Sequence, residues 1–222
     1  MDNLSTPPKL SVTSHPLLAP IVFYSRWPQP LGRYKSNESI LALFNLSTTQ
    51  APITPGPTTK EDIRALLRSG GFKPSGRNKP ASEYLFNSVQ HTRISPETSI
   101  NAAVDICNAV SLHSGLPISV IDADRATRSY RIALCPPQTE YVFNPSGQSL
   151  DISNLICLHD TKGPCASPVK DSERTKTNAE TMHTLSVIWG TRTDTTRTQA
   201  AYQWYSELLQ TYGITPTPIT PE

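Results

Sequence analysis

The sequence predicts an α+β fold, a single domain with β-sandwich-like central sheets flanked by helices. Helical patterns dominate residues 59–115 and return at 194–212, while short β-branched and aromatic runs fill the region between them. Strands that follow one another without intervening helices favour α+β over alternating α/β. A chain of 222 residues suits one domain of this kind.

The first elements are one strand and two helices. Residues 21–24 are predicted as a strand, and residues 39–46 are apolar but fit either a helix or a strand. A helix over 59–69 begins at a capping-box-like Thr-Lys-Glu-Asp and ends at two glycines. A second helix is predicted over 81–91, with its apolar residues on one side.

A third helix carries polar residues at helical spacing. It begins at Ser95–Pro96–Glu97, with serine as N-cap and proline in the first turn, and it ends at Gly115. Asn101, Asp105 and Asn108 fall at i, i+4 and i+7 and therefore share a face. Half-buried amides and carboxylates need hydrogen-bond partners, so this face is expected to organise a polar centre or to form part of a core network.

The remaining elements are short strands followed by one helix. The predicted strands are 130–134, 140–143, 154–158 and 184–189, and the helix is 194–212. Thr/Pro-rich composition predicts a flexible tail over 1–16, an internal linker over 47–59 and a second flexible tail over 213–222. The domain itself is predicted to span 17–212.

Composition excludes several classes of function. The formal charge is only +2, so a nucleic-acid surface would have to be a local patch. No apolar run is long enough to cross a membrane, and the first residues lack the features of a signal peptide, so we expect a cytoplasmic protein. The four cysteines have no zinc-like spacing, and buried reduced thiols are expected for Cys107 and Cys157. We therefore predict no metal.

The loop from Lys170 to Lys176 concentrates charged and hydroxyl groups. It holds two carboxylates, three cations and two hydroxyls within seven residues. Such cations can meet phosphates and such hydroxyls can meet a ribose. The alternative is a solvated charged loop. Asp122, Asp124 and Arg125 form a second charged turn, which is either a local ion pair or a pair of carboxylates facing a cavity.

These features occur in an order that resembles a known family. The relevant segments are 77–83, 99–108, 115–117, 122–125, 159–160, 163–165, 171–177 and 180–181. Together they resemble the tRNA-editing (B3/B4-type) domain of the phenylalanyl-tRNA synthetase beta chain, in its freestanding form. The resemblance implies an editing-domain-like fold, aminoacyl-tRNA as the partner and no cofactor, because the aminoacyl ester is already activated.

The chain departs from this family where hydrolysis would be performed. The family's histidine after the helix-ending proline corresponds to Ser119, and its glutamate in the last apolar strand corresponds to Val187–Ile188. The run after the cysteine, often rich in Arg and Trp in freestanding relatives, here reads 166–170 without either. The resemblance thus implies that the chain keeps the fold of the family but carries other residues in the hydrolytic pocket.

The resemblance and the residue types together give the candidate site residues. The catalytic candidates are Asp171, Ser172, Ser119, Cys165 and His159. The substrate-binding candidates are Glu83, Asn108, Asp122, Asp124, Asp160 and Thr175. The tRNA-binding candidates are Arg77, Lys79, Arg125, Lys170, Arg174 and Lys176. A Ser or Cys nucleophile would need a base within hydrogen-bond reach, and the sequence does not say which histidine lies near which nucleophile.

Three functions remain open. The first is transfer of the aminoacyl group to an amine, which gives a dipeptide and then a diketopiperazine. In this function the chain would be similar to the arginine-containing cyclodipeptide synthases. The second is hydrolysis of a mischarged tRNA by a freestanding editing enzyme. The third is a non-catalytic tRNA-binding module. Loss of the hydrolytic positions favours transfer.

Overall fold

The computed structural model describes residues 8–91 and 98–222. Its strands are β1 (Lys9–Val12), β2 (Ile21–Arg26), β3 (Ile118–Asp122), β4 (Ser129–Leu134), β5 (Glu140–Val142), β6 (Ser149–Asp151), β7 (Ile156–Asp160), β8 (Gly163–Ala166), β9 (His183–Ile188) and β10 (Thr217–Pro218). Its helices are α1 (Glu38–Ala42), α2 (Thr59–Arg68), α3 (Ala81–His91), α4 (Ala102–Ser114) and α5 (Thr195–Gln210).

The strands form three sheets. One four-stranded sheet has the order β1-β4-β7-β8, a second has the order β10-β2-β9-β3, and β5 and β6 form a separate pair. Helix α4 packs against β3, and α5 packs against both α4 and the second sheet. The single-domain α+β fold, with several sheets flanked by helices, is confirmed.

Most predicted elements lie where the sequence pattern places them. Helices α2, α3 and α5 agree with their predicted ranges to within a few residues, and so do β2, β4, β5, β7 and β9. The ambiguous segment 39–46 contains the C-terminal part of α1. Helix α4 begins at Ala102, and the start predicted at Ser95–Pro96–Glu97 lies outside the described residues.

Two strands lie inside the segments expected to be tails. Strand β1 pairs in parallel with β4, and β10 pairs antiparallel with β2. The proline-rich composition of these segments indicates tails and not strands. Both β1 and β10 are edge strands, however, and an edge strand tolerates a proline such as Pro218. Main-chain pairing therefore fixes parts of both terminal segments.

Helix α4 is the central element of the molecule. Asn101 caps it by accepting a hydrogen bond from the Val104 N–H, and Gly115 ends it in the left-handed region at φ 73°. Within the helix only Val104 and Asn108 are not fully buried. Because these two are four residues apart, they lie on the same face, which is the face that lines the candidate site.

Two further expectations concern the cysteines and the membrane. All four cysteines are buried free thiols, as predicted for Cys107 and Cys157. Over residues 8–91 and 98–222, no helix has the length and apolar character that a membrane span requires.

Candidate functional site

A cavity of about 440 Å³ lies between α4, β3 and the segment that follows β8. We refer to it as the Asp171 cavity. Its apolar lining comes from Ile100, Val104, Cys107, Ile118, Val120 and Phe143. Its polar lining comes from Asn108, Asn144, Lys170, Asp171, Lys176 and Thr177. A mostly apolar hollow with a few convergent polar groups is the usual form of a small-ligand site.

Asp171 is the acidic group of this cavity. Its Oδ1 accepts hydrogen bonds from Ser119 Oγ at 2.7 Å and from the Ser167 N–H at 3.2 Å. The residue is partly exposed where it lines the cavity. The protein thus holds one carboxylate oxygen in a fixed position beside an open space.

Burial raises the pKa of Asp171 to about 7. The hydrogen bonds from Ser119 and the Ser167 N–H, the positive charge of Lys176 and the Val120 N–H act in the opposite direction and only partly offset this effect. A carboxylate with a pKa near neutrality can accept a proton and return it at physiological pH. Asp171 therefore has the properties of a general acid–base group.

Ser119 positions Asp171 and has no access to the cavity. Its side chain is almost fully buried, and its Oγ also accepts a hydrogen bond from Trp189 Nε1 at 3.0 Å. Ser119 does not line the cavity. Ser119, a predicted catalytic residue, is thus bonded to Asp171 and Trp189 and does not face the cavity.

A buried tyrosine completes the support beneath the cavity. Tyr141 donates a hydrogen bond to Ser167 Oγ at 2.9 Å and also contacts the Lys170 carbonyl. Ser167 Oγ donates to the same carbonyl at 2.8 Å. Tyr141 was not among the predicted site residues, because its place in a short alternating strand is typical of an ordinary core residue.

Two lysines stand at the edge of the cavity. Lys170 Nζ lies 4.0 Å from the centre of the Phe143 ring, and Lys176 Nζ contacts the Phe143 carbonyl and lies 3.2 Å from Glu173 Oε2. Burial lowers the pKa of Lys170, with further contributions from the charges of Arg77 and Lys176. Because the charges of Arg77 and Lys176 act on Lys170, the three cations lie near one another and form a positive patch that suits an anion.

The patch extends to one more predicted tRNA contact. Arg125 Nη1 donates to the Lys176 carbonyl at 3.3 Å, which places its guanidinium next to the cavity edge. Arg77 and Arg125 are both exposed. Four of the six predicted tRNA-binding cations, Arg77, Arg125, Lys170 and Lys176, are thus brought near one cavity.

Asn108 is the predicted substrate-binding residue that does line the cavity. No hydrogen bond to its side chain is present in the described part of the chain. Its amide is therefore available to a bound ligand as both donor and acceptor. Asp105, on the same helix, is turned elsewhere and accepts hydrogen bonds from Ser36 and Ser99.

Three predicted substrate-binding carboxylates hold the fold together instead. Asp122 is buried and accepts four hydrogen bonds, from the N–H groups of residues 124 and 125 and from the side chains of residues 178 and 181. Asp124 accepts the N–H groups of residues 182 and 183 and the His183 ring. Asp160 forms a bidentate ion pair with Arg174 at 2.8 and 2.9 Å. Arg174 is therefore bound to Asp160 and does not line the Asp171 cavity.

The other catalytic candidates are also enclosed. Thr175, predicted to bind substrate, donates to the Cys165 carbonyl, and Cys165 is fully buried with its pKa raised by burial. Ser172 caps a short turn by accepting from the Arg174 N–H. His159 lies 3.8 Å from Cys135 Sγ. None of these four residues lines the Asp171 cavity.

Glu83 and Lys79 belong to a different hollow. Both line a cavity of about 430 Å³ between α2 and α3, where Glu83 forms a bidentate ion pair with Arg64. The three-dimensional structure thus separates them from Asp171, although the sequence analysis grouped them. Over residues 8–91 and 98–222, no group of three or more His, Cys, Asp or Glu side chains could hold a metal ion.

A comparison with models of protein families finds a match that covers the Asp171 cavity. The family model described as "B3/4 domain" matches residues 73–213, which is more than half of the chain. The chain belongs to the B3/4 domain family. The matched range contains every residue that lines the Asp171 cavity, and it confirms the predicted resemblance.

The B3/4 assignment gives the protein a tRNA-related role. None of the curated proteins matches the chain in sequence. The chemistry of this B3/4 domain must therefore be argued from its own cavity.

Proposed function

We propose that this B3/4 domain acts on the ester of an aminoacyl-tRNA and transfers the aminoacyl group to an amine. The observation that carries the proposal is the partly exposed Asp171 carboxylate, with a pKa of about 7, in a cavity edged by Lys170 and Lys176. The family's tRNA-related role supplies the substrate. The ester is an activated acyl donor, so no cofactor is required.

The chemical step needs a base and a fixed geometry. The amine attacks the ester carbonyl carbon, a C–N bond forms, and the C–O bond to the terminal ribose breaks. Asp171 takes the proton that the amine loses and returns it to the departing ribose oxygen. The product is an amide, which with an aminoacyl acceptor is a dipeptide that can cyclise to a diketopiperazine.

The surrounding residues have separate tasks in this proposal. Ser119 and Ser167 hold Asp171 in position, and Asn108 offers an amide to the aminoacyl group. Lys170 and Lys176 meet the phosphates of the tRNA 3′ end. The apolar wall restricts water and strengthens the interactions made by the carboxylate.

Hydrolysis is the second candidate, because a carboxylate with a pKa near 7 can also activate water. One observation favours transfer. Ser119 falls where the editing domains that the chain resembles carry His, and Val187–Ile188 falls where they carry Glu. Strand β3 pairs with β9 here, with Ser119 opposite Val187 and Ile188 next along β9. All three residues are almost fully buried. The positions where hydrolysis would need a histidine and a glutamate are therefore buried away from water.

Product analysis tests the proposal. The protein is incubated with a pool of tRNA charged with radiolabelled amino acids, and products are separated by chromatography and identified by mass spectrometry. We expect amide products that Asp171→Asn does not make, whereas Asp151→Asn, a change of an exposed residue on β6, leaves them unchanged. Release of free amino acid alone would support hydrolysis. Tight tRNA binding with no loss of the ester would support a non-catalytic module.

A further inference from the structure

A second cavity adjoins the Asp171 cavity. It measures about 450 Å³ and lies between the segment 31–36, the segment just before α4 and residues 177–179. Its lining includes Tyr34, Lys35 and Ser36 from the first of these segments and Asn178 and Ala179 from the last. We refer to it as the Lys35 cavity.

The two cavities share a partition. Ile100 and Thr177 line both of them. Asn101 Nδ2 donates to Thr177 Oγ1 at 3.2 Å, which ties the partition to the start of α4. Ile100 is 69% exposed, a high value for an isoleucine in a folded domain. The two hollows therefore meet at residues that line both of them.

The linings of the two cavities differ in chemistry. The Asp171 cavity contains the carboxylate and most of the apolar surface. The Lys35 cavity contains hydroxyl and amide groups, the Tyr34 ring and one cation, and none of its lining residues is acidic. Asp105 lies behind it, bonded to Ser36 and Ser99. A lining of this kind suits a polar molecule that carries an anionic end.

We infer that the Lys35 cavity binds the acceptor amine, while the Asp171 cavity binds the aminoacyl group that is transferred. This inference rests on the proposed transfer function, which requires two substrates to be held side by side. The acceptor is an α-amino acid unit, with its amine directed past Ile100 and Thr177 towards Asp171. Lys35 meets its anionic end, which is the carboxylate of a free amino acid or a phosphate of a second aminoacyl-tRNA.

The atom balance is that of the proposed transfer reaction. The acceptor nitrogen forms the new C–N bond, and the ester C–O bond of the donor breaks. The proton passes from the acceptor nitrogen to Asp171 and then to the ribose oxygen of the leaving tRNA. No oxidant, reductant or further reactant takes part.

A variant that fills only the Lys35 cavity tests the inference. Ala179 is exposed and lines this cavity, so Ala179→Trp adds a large ring to its lining. Ala200→Trp is the matched control, because Ala200 is exposed on α5 and lines neither cavity. Each protein is given bulk aminoacyl-tRNA as donor with one of three acceptors: hydroxylamine, the twenty free amino acids, or no added acceptor, in which case a second aminoacyl-tRNA must serve.

Hydroxylamine is small enough to reach the ester without occupying the Lys35 cavity. We expect Ala179→Trp to form the hydroxamate at the wild-type rate, after subtraction of the protein-free reaction, which also shows that the variant is folded. With the acceptor that the wild type uses, the same variant is expected to lose at least about tenfold in kcat/KM, mainly through a higher KM. Ala200→Trp is expected to match the wild type with all acceptors.

Two results would overturn the inference while leaving the proposed function intact. One is a wild-type rate of Ala179→Trp with the larger acceptor. The other is an equal loss with hydroxylamine and with the larger acceptor. If the wild-type protein yields only free amino acid under every condition, the transfer function itself fails, and the inference falls with it.

Discussion

Asp171 illustrates how position decides the chemistry of a common side chain. Its neighbours Ser172 and Glu173 are as polar in sequence, but one caps a turn and the other lies beside Lys176. Asp171 is held by Ser119 and Ser167 at the wall of a cavity, and burial raises its pKa to about 7. Asp171 was a predicted catalytic residue, whereas the bond that it accepts from Ser119 on β3, 52 residues earlier in the chain, could not be predicted from the sequence.

Replacement of Asp171 by asparagine separates activity from stability. Asp171→Asn keeps an oxygen for the Ser119 and Ser167 hydrogen bonds but removes the base, so kcat is expected to fall by roughly 10²–10⁴. The pKa of Asp171 is higher in the folded protein, about 7, than the value of about 3.9 expected for the unfolded chain. The stability that this carboxyl group contributes is therefore present below about pH 4 and lost as pH rises through about 7. At pH 8 the variant should therefore melt at or above the wild-type temperature. A variant that is inactive and also much less stable would point to a structural role only.

The same pKa predicts the pH dependence of the reaction. The proposed base acts in its deprotonated form, so kcat/KM for the aminoacyl-tRNA, measured at a constant concentration of the unprotonated acceptor amine, is expected to rise with pH and to level off above about 7. Initial rates between pH 5.5 and 8.5, corrected for spontaneous ester hydrolysis, measure this dependence. A rate that is independent of pH across this range would contradict the assignment of Asp171 as the base.

Lys170 is expected to act on affinity for tRNA. Lys170→Ala removes one proposed phosphate contact, so the slope of log affinity against log salt concentration should fall by about 1, with weaker binding to every tRNA. Lys162→Ala, at an exposed lysine outside the Asp171 cavity, is the matched control and should leave the slope unchanged. Identical salt slopes for the Lys170 variant and the wild type would remove Lys170 from the interface.

At the scale of elements, local patterns predicted helices better than strands. Helix α2 has a recognisable start and end in the sequence, α3 has its apolar residues on one side, and both were found close to their predicted limits. Strands β1, β3, β6, β8 and β10 were not predicted, and residues 163–165 of β8 were expected to form a turn. Strands β1 and β10 lie in segments whose composition indicates a tail, and pairing partners far away in the chain stabilise them. Such tertiary pairing cannot be read from a local window.

The site was only partly predictable for the same reason. Asn108, Lys170 and Asp171 were selected from residue type and family resemblance, and the structure brings them together. Asp122 and Asp160 were selected on equal grounds, but their carboxylates are occupied by hydrogen bonds within the fold. A sequence gives the inventory of polar groups, whereas the fold decides which of them are already satisfied.

The ion pair between Arg174 and Asp160 is expected to stabilise the turn after β8. Burial alone would raise the pKa of Asp160, but Arg174 and two main-chain N–H groups more than offset this, and the net pKa is lowered. Arg174→Ala leaves a carboxylate without its cation in the interior and should cost about 3 kcal/mol. Denaturant unfolding at pH 7 measures this cost.

Acid provides the control for that prediction. Because the pKa of Asp160 is lowered in the folded protein, the stability that this carboxylate contributes is present above its unfolded pKa and lost as pH falls. The difference in the free energy of unfolding between Arg174→Ala and the wild type should therefore shrink towards about pH 3. Arg131→Ala, at an exposed arginine on β4, should change the free energy of unfolding by less than about 0.5 kcal/mol. Equal effects of the two arginine variants would show that the Asp160 pair contributes little.

At the scale of the whole molecule, the fold brings two adjoining cavities and a positive edge to one region. The central helix α4 lines the Asp171 cavity, and its capping residue Asn101 lines the Lys35 cavity. The cations Lys170, Lys176 and Arg125 gather at this region although the net charge of the chain is only +2. The arrangement accounts for a tRNA-related role without a strongly basic surface.

The central claim is that the Asp171 cavity is where the aminoacyl ester is attacked. The most direct measurement is a single-turnover assay in which excess protein is mixed with radiolabelled aminoacyl-tRNA and the acceptor amine that the wild type uses, and the loss of the ester is followed over time. The account predicts rapid loss with the wild type and at least about a hundredfold slower loss with Asp171→Asn. Loss of the ester at the same rate with both proteins, or no loss with any aminoacyl-tRNA, would contradict it.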